Sequence, residues 1–252
     1  MSEIRGIPFD APLYHGDREH HSAFLKCQAI QAIFTIASDV RRLLPTQLRP
    51  AANPVVGIVG IASYGSSMVG PYLEQYSGIE VRDPGGETGF YIPYIYVTAN
   101  DAALASGREA LGAPKKFARI ALTRESGLIQ GTLERPAGKR LLTITAQPDS
   151  RLKAAARQTY STHTNFYSIR HLPAINQSGK GAVTQLIKWC TDRTFRRDAL
   201  GEEVLFTGPV SLTYDSPSVI DPVHNLVVGQ IMLGTYEEYD SRLQAVDLLS
   251  NA

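Results

Sequence analysis

Apolar and polar residues alternate along most of the chain in short runs that Pro, Gly and Ser separate. Because successive side chains of a strand point to opposite faces, this alternation predicts strands with one buried face. The predicted strands lie at 26–36, 55–62, 72–77, 90–97, 117–123, 129–133, 141–145, 166–170, 183–189, 204–214 and 226–233. Pro93 lies inside one of these runs and predicts an edge strand or a bulge at that point.

Helix signals are few and short. Asn100 and Asp101 can cap a helix that runs through Ala105 and ends at Gly107. The other predicted helices lie at 39–44, where Ser38 is the cap, at 152–157 and, as an amphipathic tail, at 236–249. Many strands with few helices predict an α+β protein with a large, mainly antiparallel, curved or closed sheet.

Length and composition describe an ordinary globular protein. The 252 residues are 43% hydrophobic and 19% charged, which suits one domain spanning 1–252 with a sizeable core. The net charge is +1, with basic and acidic residues interspersed, so nothing favours nucleic acid or an anionic membrane as a partner. The N-terminus has no apolar targeting segment, so we expect a cytoplasmic location. We also expect a homo-oligomer.

Motifs for cofactors and metals are missing from the sequence. It contains no Walker sequence and no GxGxxG, so we expect no cofactor. His15, His20 and His21 lie close together, but their spacing suits neither a helical histidine pair nor a zinc finger. A polar arm or a subunit contact is the favoured interpretation of that segment. Cys27 and Cys190 lack CxxC spacing and predict two buried thiols.

The adjacent lysines Lys115 and Lys116 are the strongest candidates for chemistry. Pro114 disfavours helix just before them, so they open a new strand. Only the neutral amine of a lysine attacks a carbonyl, and burial or a neighbouring cation favours that neutral form. Alternation turns the two side chains to opposite faces, which favours burial as the cause, but spacing alone does not choose between them. A solvated basic pair is the structural alternative.

The same region resembles a known family. Gly107-Arg108-Glu109 followed by Pro114-Lys115-Lys116 is similar to the signature of the acetoacetate decarboxylase family. Two later blocks are similar to family segments in the same order, namely Asn165-Phe166-Tyr167 through Leu172-Pro173 and Thr207-Gly208-Pro209 with the residues that follow. The resemblance covers most of the chain, from about residue 24 to residue 243.

The resemblance implies a cone-like β-barrel that encloses a lysine, and Schiff-base chemistry on a small keto acid. It assigns the Schiff base to Lys115, the lysine directly after the proline, and places Lys116 beside it. Glu74 matches the family's active-site glutamate, where a carboxylate can relay protons. The alternative for Glu74 is a surface carboxylate on a strand edge.

Tyr94 is a candidate that the resemblance does not supply. Alternation places it on the same strand face as Phe90, Ile92 and Tyr96. If this strand lies beside Lys115, Tyr94 adds a phenol to the pocket, where related decarboxylases tend to have an apolar residue. The alternative is a core tyrosine whose hydroxyl is satisfied elsewhere.

Two positions depart from the decarboxylase pattern. Family decarboxylases carry an arginine at the start of the first strand, taken to place the substrate carboxylate, and a second glutamate in the strand before Glu74. Counting back from Pro45 puts the arginine position near Lys26, with Gln28 on the same face, and the glutamate position falls near Val59. A lysine does not reproduce the planar fork of a guanidinium, which argues against acetoacetate itself as the substrate.

Several reactions start from a lysine imine, because an iminium is an electron sink whichever bond breaks next. Loss of carbon dioxide from a β-keto acid gives an enamine, as does loss of an α-proton from pyruvate, and that enamine can attack an aldehyde. With Tyr94 and Glu74 as acid and base, we favour aldol condensation and dehydration over decarboxylation. A non-catalytic protein that binds a carbonyl or apolar ligand is the third hypothesis, and it requires an unreactive lysine.

Overall fold

Strands dominate the structure, a computed structural model in which residues 13–14, 23–152, 163–175 and 181–251 are described. In chain order the strands are β1 (Ala23–Ile36), β2 (Arg49–Pro50), β3 (Val56–Tyr64), β4 (Ser66–Ser67), β5 (Tyr72–Arg82), β6 (Thr88–Val97), β7 (Lys115–Phe117), β8 (Arg119–Glu125), β9 (Leu128–Glu134), β10 (Arg140–Ala146), β11 (Ser150–Arg151), β12 (His163–Leu172), β13 (Val183–Phe195), β14 (Leu205–Thr207), β15 (Val210–Thr213) and β16 (Val228–Asn251). One helix, α1 (Asp101–Leu111), and a 3₁₀ turn at Val223–Asn225 complete the described elements.

A closed ring of strands is the central feature. The strands pair in the order β1, β3, β5, β6, β12, β13 and β16, and β16 then pairs with β1. The pairings of β6 with β12 and with β7 are parallel, and the others in this sheet are antiparallel. The predicted large, mainly antiparallel, curved or closed sheet of an α+β protein is therefore confirmed, and the pairing of β16 with β1 closes it. Each ring strand has one face inside the ring and one outside it.

A smaller sheet covers the outside of the ring. Its strands pair in the order β15, β10, β9 and β8. Ile129 and Leu133 of this sheet share one core cluster with Val59 and Ile61 of β3. Gly131 permits the close approach, because a Cβ at this glycine would lie 2.7 Å from Cδ1 of Ile61. The outward faces of the ring strands therefore supply the main core.

Helix α1 begins as predicted and ends later. The Asn100 side chain accepts a hydrogen bond of 2.9 Å from the backbone N–H of Ala103, as an N-cap does. The helix passes through Gly107 and ends at Gly112, whose φ of 68° is the left-handed conformation that glycine tolerates. Gly107 is therefore an interior helix residue rather than the predicted end.

The predicted tail helix at 236–249 is wrong, because the segment belongs to β16. This strand pairs with β1 along one edge and with β13 along the other, so the ring satisfies its backbone groups. The predicted helix at 39–44 is a turn held by a hydrogen bond from Leu43 N to Val40 O. Six residues before a proline give too few hydrogen bonds to offset helix nucleation. Apart from its first residue, the predicted helix at 152–157 lies outside the described residues.

An edge strand or a bulge was predicted at Pro93, and the structure has a bulge there. Ser77 of β5 is opposite Tyr94 of β6, but Ile79 is opposite Tyr91, so β6 contains one extra residue at this point. A bulge changes which residues of a strand share a face. Beyond it, the side-chain phase of β6 is reversed.

Other sequence predictions concern thiols, metals and membranes. Cys27 and Cys190 are free and buried, as predicted. The three clustered histidines lie outside the described residues, and among the residues that are described no group of His, Cys, Asp and Glu could hold a metal ion. No helix in the described ranges has the length and apolar character needed to cross a membrane.

Candidate active site

The inside of the ring contains a cavity of about 370 Å³. Every ring strand contributes to its wall, and α1 and the start of β7 close one side. Lining residues that matter below are Gln31 of β1, Tyr64 of β3, Tyr72, Glu74 and Tyr76 of β5, Phe90 and Ile92 of β6, Lys115 of β7, Thr164 and Phe166 of β12, Trp189 and Arg193 of β13, and Tyr239 of β16. The wall is mostly apolar or aromatic, so its few charged groups are poorly hydrated.

Lys115 and Glu74 meet in this cavity. Lys115 is 7% exposed, and its Nζ lies 2.8 Å from Oε2 of Glu74. Strand β7 brings the lysine there by pairing in parallel with β6, which places Lys115 opposite Ile95. The two residues that the sequence singled out on separate strands therefore form one buried ion pair.

Gly107 of α1 makes room for the Lys115 side chain. A Cβ at this glycine would lie 2.5 Å from Cδ and 2.6 Å from Cε of Lys115. The lysine stem thus lies directly against the helix backbone. Arg108, the next residue, donates a hydrogen bond of 3.1 Å to the carbonyl of Lys115. The Gly-Arg dipeptide of the recognised motif thus shapes and fixes the lysine position.

Two phenols lie beside this ion pair. The Tyr64 hydroxyl donates to Oε1 of Glu74 at 3.2 Å, and the Tyr72 ring centroid lies 5.3 Å from Nζ of Lys115. Burial, and then the charge of Glu74, raise the pKa of both Tyr64 and Tyr72 well above 10. Both phenols therefore keep their protons at neutral pH and act as hydrogen-bond donors. The site combines an amine, a carboxylate and two neutral phenols.

A second polar group occupies another part of the wall. Tyr76 lies over Gly60 and donates a hydrogen bond of 2.8 Å to Oε1 of Gln31. Gln31 in turn donates to Glu237 at 2.8 Å, and Arg193 forms an ion pair with the same carboxylate at 2.7 Å. This chain of contacts joins β5, β1, β16 and β13 across the ring.

Lys116 lies on the other side of β7, as alternation predicts. Its Nζ lies 2.9 Å from Oδ1 of Asp221 and donates to the carbonyl of Ile220 at 2.6 Å. Asp221 is fully buried and also pairs with Arg135, at 3.0 Å. Lys116 is therefore an anchor for the loop that carries Asp221, and its side chain does not line the cavity.

Tyr94 also lies away from the cavity. The bulge at Pro93 keeps Phe90 and Ile92 on the cavity wall and turns Tyr94 to the main core. Burial raises the pKa of the Tyr94 phenol, and a hydrogen bond with Asn225 opposes that rise. The expected cavity phenol is thus supplied by Tyr64 and Tyr72 instead.

The three predicted substrate-binding positions do not line the cavity. Lys26 is exposed and adopts a φ of 54° at a bulge of β1, where its backbone N–H donates to Asp240. Gln28 is exposed because the odd-numbered residues of this stretch, including Gln31, face inward. Val59 is fully buried in the main core on the outer face of β3. The arginine position was predicted by counting residues back from Pro45, and that count did not allow for the extra residue of the bulge in β1.

Sequence reasoning missed Gln31, Tyr64, Tyr72, Tyr76 and Arg193 as cavity residues. Tyr72 and Tyr76 are two positions before and after Glu74, so alternation around that glutamate is a signal that could have found them. Gln31 is a polar residue within an otherwise apolar strand pattern, which is a second usable signal. Nothing local in the sequence indicates that Tyr64 or Arg193 faces the same cavity.

The sequence matches the family model described as "Acetoacetate decarboxylase (ADC)" over residues 10–252. The chain belongs to the acetoacetate decarboxylase family. This membership agrees with the resemblance in the lysine motif and identifies the protein as an enzyme of the lyase class. A curated relative, "Decarboxylase DEC1" of Cochliobolus heterostrophus, is 27% identical over 237 residues, which are 92% of this chain and 88% of the relative.

Solved structures of the family share the fold. Acetoacetate decarboxylase from Legionella pneumophila superposes with a TM-score of 0.82 at 22% identity, covering 98% of this chain and 95% of that one. The enduracididine biosynthesis enzyme MppR, complexed with the condensation product of pyruvate and imidazole 4-carboxaldehyde, superposes with a TM-score of 0.76 at 17% identity, covering 97% and 95%. At these identities the similarity establishes the fold, and it spans a decarboxylase and an enzyme that binds a condensation product.

Proposed function

We propose that Lys115 forms a Schiff base with the carbonyl of a small keto acid. The observation that carries this proposal is the buried pair of Lys115 Nζ and Glu74 Oε2, 2.8 Å apart inside the cavity. Glu74 accepts a proton from the ammonium, and the neutral amine adds to the carbonyl carbon. The carbinolamine then loses water and leaves a protonated imine on Lys115. Lys116, held by Asp221 on the other side of β7, takes no part in this bond.

The groups around the imine provide the next proton transfers. Glu74 passes its first proton to the departing water and then removes an α-proton from the substrate, so that the iminium becomes an enamine. Tyr64, whose hydroxyl donates to Glu74, and Tyr72, whose ring lies near Lys115, keep their protons at neutral pH. A phenol of this kind can protonate an oxygen that develops negative charge.

Condensation with an aldehyde followed by dehydration is the reaction that this arrangement supports best. The enamine carbon attacks the aldehyde carbon, and a phenol protonates the new alkoxide. The tyrosinate then removes the second α-proton, and Glu74 donates the first α-proton to the hydroxide, which leaves as water. Hydrolysis of the imine releases the unsaturated product. A cavity of about 370 Å³ lies in the size range of pockets for much larger ligands than pyruvate, so it has room for both reactants.

Decarboxylation of a β-keto acid is the second candidate, and the relative named Decarboxylase DEC1 favours it. The same iminium accepts the electron pair of the bond to the carboxylate as carbon dioxide leaves. Protonation of the enamine and hydrolysis then release a ketone. This route needs the lysine and one proton donor, but no second substrate.

Both reactions can be tested on one protein preparation. Pyruvate or acetoacetate with borohydride should add the ligand mass to the peptide that contains Lys115, and Lys115→Ala should abolish the adduct. Trapping at Lys116, or no trapping at all, would contradict the Schiff-base assignment, and the absence of trapping would favour a ligand-binding protein.

Measuring both products then separates the two reactions. We expect a conjugated absorbance band to grow when pyruvate and an unsaturated or aromatic aldehyde are supplied together, and slow release of carbon dioxide from acetoacetate. Rapid decarboxylation without condensation would identify the second candidate as the true reaction. Glu74→Gln should reduce either turnover by about 10²-fold or more, because it removes the proton-transferring carboxylate.

A further inference from the structure

Arg193 offers the cavity a positive charge that the Schiff-base proposal does not use. Among the described lining residues, Lys115 and Arg193 are the cationic side chains. Arg193 lies on β13, where its side chain is 12% exposed, and its Nη1 lies 2.7 Å from Oε1 of Glu237. Its partner Glu237 is fully buried and does not line the cavity. The guanidinium of this ion pair, and not the carboxylate, therefore faces the cavity.

The surrounding contacts fix the direction of the guanidinium. Gln31 and Arg193 donate to the same oxygen of Glu237, so the carboxylate is held from two sides behind the wall. The guanidinium lies over the Tyr239 ring, 5.7 Å from its centroid. Its Nη2 donates to Oγ1 of Thr164 at 3.3 Å, which is longer than the usual range for such bonds. An anionic oxygen can replace the threonine hydroxyl at that nitrogen.

A keto acid bound in this cavity needs a cationic side chain beside its carboxylate. Its carboxylate loses its water in a mostly apolar cavity, and an unpaired buried charge is costly. Lys115 must react as a neutral amine, so it cannot serve as the counter-ion. This inference rests on the proposed function. We propose that Arg193 binds the carboxylate of the keto acid while Lys115 reacts with its carbonyl. The guanidinium that the family resemblance places at the start of the first strand is thus supplied here by β13.

The proposal predicts a selectivity for anionic over neutral ketones that depends on Arg193. Borohydride trapping at Lys115 can be measured with pyruvate and acetoacetate, and with the neutral ketone 2-butanone. Replacing Arg193 should raise the half-saturating concentration of the two acids by about tenfold to a hundredfold. The loss of one hydrogen bond between charged groups weakens binding by about this factor. The value for 2-butanone should stay within about twofold, since it has no carboxylate to lose a partner.

The choice of variant matters because Arg193→Gln leaves Glu237 buried without its cation. The double variant Arg193→Gln with Glu237→Gln removes both charges and keeps amide groups that can hydrogen-bond. Arg193→Lys keeps the charge but loses the planar fork, and it should also weaken acid binding. Arg196→Gln is the matched control, since Arg196 is an exposed arginine three residues along the chain. Thermal unfolding of each variant establishes that it is folded.

Butyrate, a carboxylate with no ketone, separates this proposal from the Schiff-base proposal. Calorimetry should detect butyrate binding to the wild-type protein and to Arg196→Gln, and binding at least tenfold weaker to the Arg193 variants. If borohydride traps no adduct at Lys115 but butyrate binding still depends on Arg193, the Schiff-base proposal is overturned and the carboxylate site stands. Equal losses for acids and 2-butanone, or folded Arg193 variants that keep the acid preference, would overturn the carboxylate site.

Discussion

At the scale of single residues, the candidate site depends on what lies beside Lys115. The amine is 2.8 Å from Glu74, the Tyr72 ring faces it at 5.3 Å, and Gly107 gives its stem a place against α1. A lysine has four flexible bonds, so only close neighbours hold its amine in one position. Gly107 therefore helps to hold the amine of Lys115 beside Glu74.

Replacing Gly107 with alanine should separate activity from stability. The added methyl group meets Cδ and Cε of Lys115 and displaces the flexible side chain rather than the helix. Displacement by about 1 Å can reduce a rate by about 10²-fold, so borohydride trapping with pyruvate should slow to that extent. Alanine is the better helix former by about 1 kcal/mol, so thermal unfolding should not occur at a lower temperature. Ser106→Ala, one residue earlier, should leave trapping unchanged.

Tyr64→Phe and Tyr94→Phe should have different effects on turnover. Tyr64 donates to Glu74 in the cavity, whereas Tyr94 packs in the main core. Tyr64→Phe should reduce turnover by about 10²-fold and leave trapping largely intact, because trapping needs only the imine. Tyr94→Phe should change turnover by less than about twofold. A larger loss in Tyr94→Phe than in Tyr64→Phe would mean that the proton donor has been assigned to the wrong tyrosine.

At the scale of elements, strand irregularities decide which side chains enter the cavity. The bulge in β6 turns Tyr94 to the core, and the bulge at Lys26 in β1 turns that lysine to solvent. The loop before β16 is fixed in a different way, because buried Asp221 pairs with Lys116 of β7 and with Arg135 after β9. Lys116 thus holds together the elements that place Lys115.

Asp221→Asn should destabilise the fold more than Lys116→Gln. Losing the buried carboxylate removes the shared counter-ion of Arg135 and Lys116 and an acceptor for the Tyr96 hydroxyl, which should cost about 2–3 kcal/mol because both cations stay partly hydrated. Lys116 is 40% exposed on its side chain, so its loss is partly screened by water and should cost about 1 kcal/mol or less. Urea unfolding measures both, with Asp215→Asn, an exposed carboxylate of the same loop, as the control.

Lys116→Gln also tests whether Lys116 assists the chemistry. Because Asp221 holds its ammonium on the far side of β7, the pH profile of trapping at Lys115 should not move in this variant. A profile displaced to higher pH would show that the charge of Lys116 acts on its neighbour.

At the scale of the whole molecule, the closed ring gathers ionisable groups in a space that water enters poorly. Burial is the largest cause of the raised pKa values of Tyr64, Tyr72 and Tyr239. Burial outside the cavity lining raises the pKa of the Cys27 thiol to about 12 and that of the Cys190 thiol to about 11. Burial in this fold therefore favours the neutral forms of these acids. Single-domain organisation, a homo-oligomer and a cytoplasmic location stay predictions.

Alkaline pH should unfold the protein cooperatively. The three tyrosines ionise near pH 10 in the unfolded chain and well above it in the folded one, so the unfolded state loses protons first. Their contribution to stability is complete below pH 10 and is lost as the pH rises beyond it. Tyrosinate absorbance should therefore show a late step that coincides with loss of circular dichroism. A gradual titration of every tyrosine before unfolding would contradict this expectation.

The sequence by itself predicted a large, mainly antiparallel, curved or closed sheet, because alternation and turn residues are local signals. Its resemblance to the family pointed to Lys115 and Glu74. It also marked Pro93 as an edge or a bulge, since proline lacks the N–H that a strand ladder needs. Only the tertiary structure decided that 236–249 is a strand, because β1 and β13 pair with both of its edges. It also decided the side-chain phase of β1 and β6 past their bulges, and the closure of the ring brought Tyr64, Gln31 and Arg193 to one cavity. A bulge of one residue reverses every later side chain, and that reversal depends on the partner strand rather than on the local pattern.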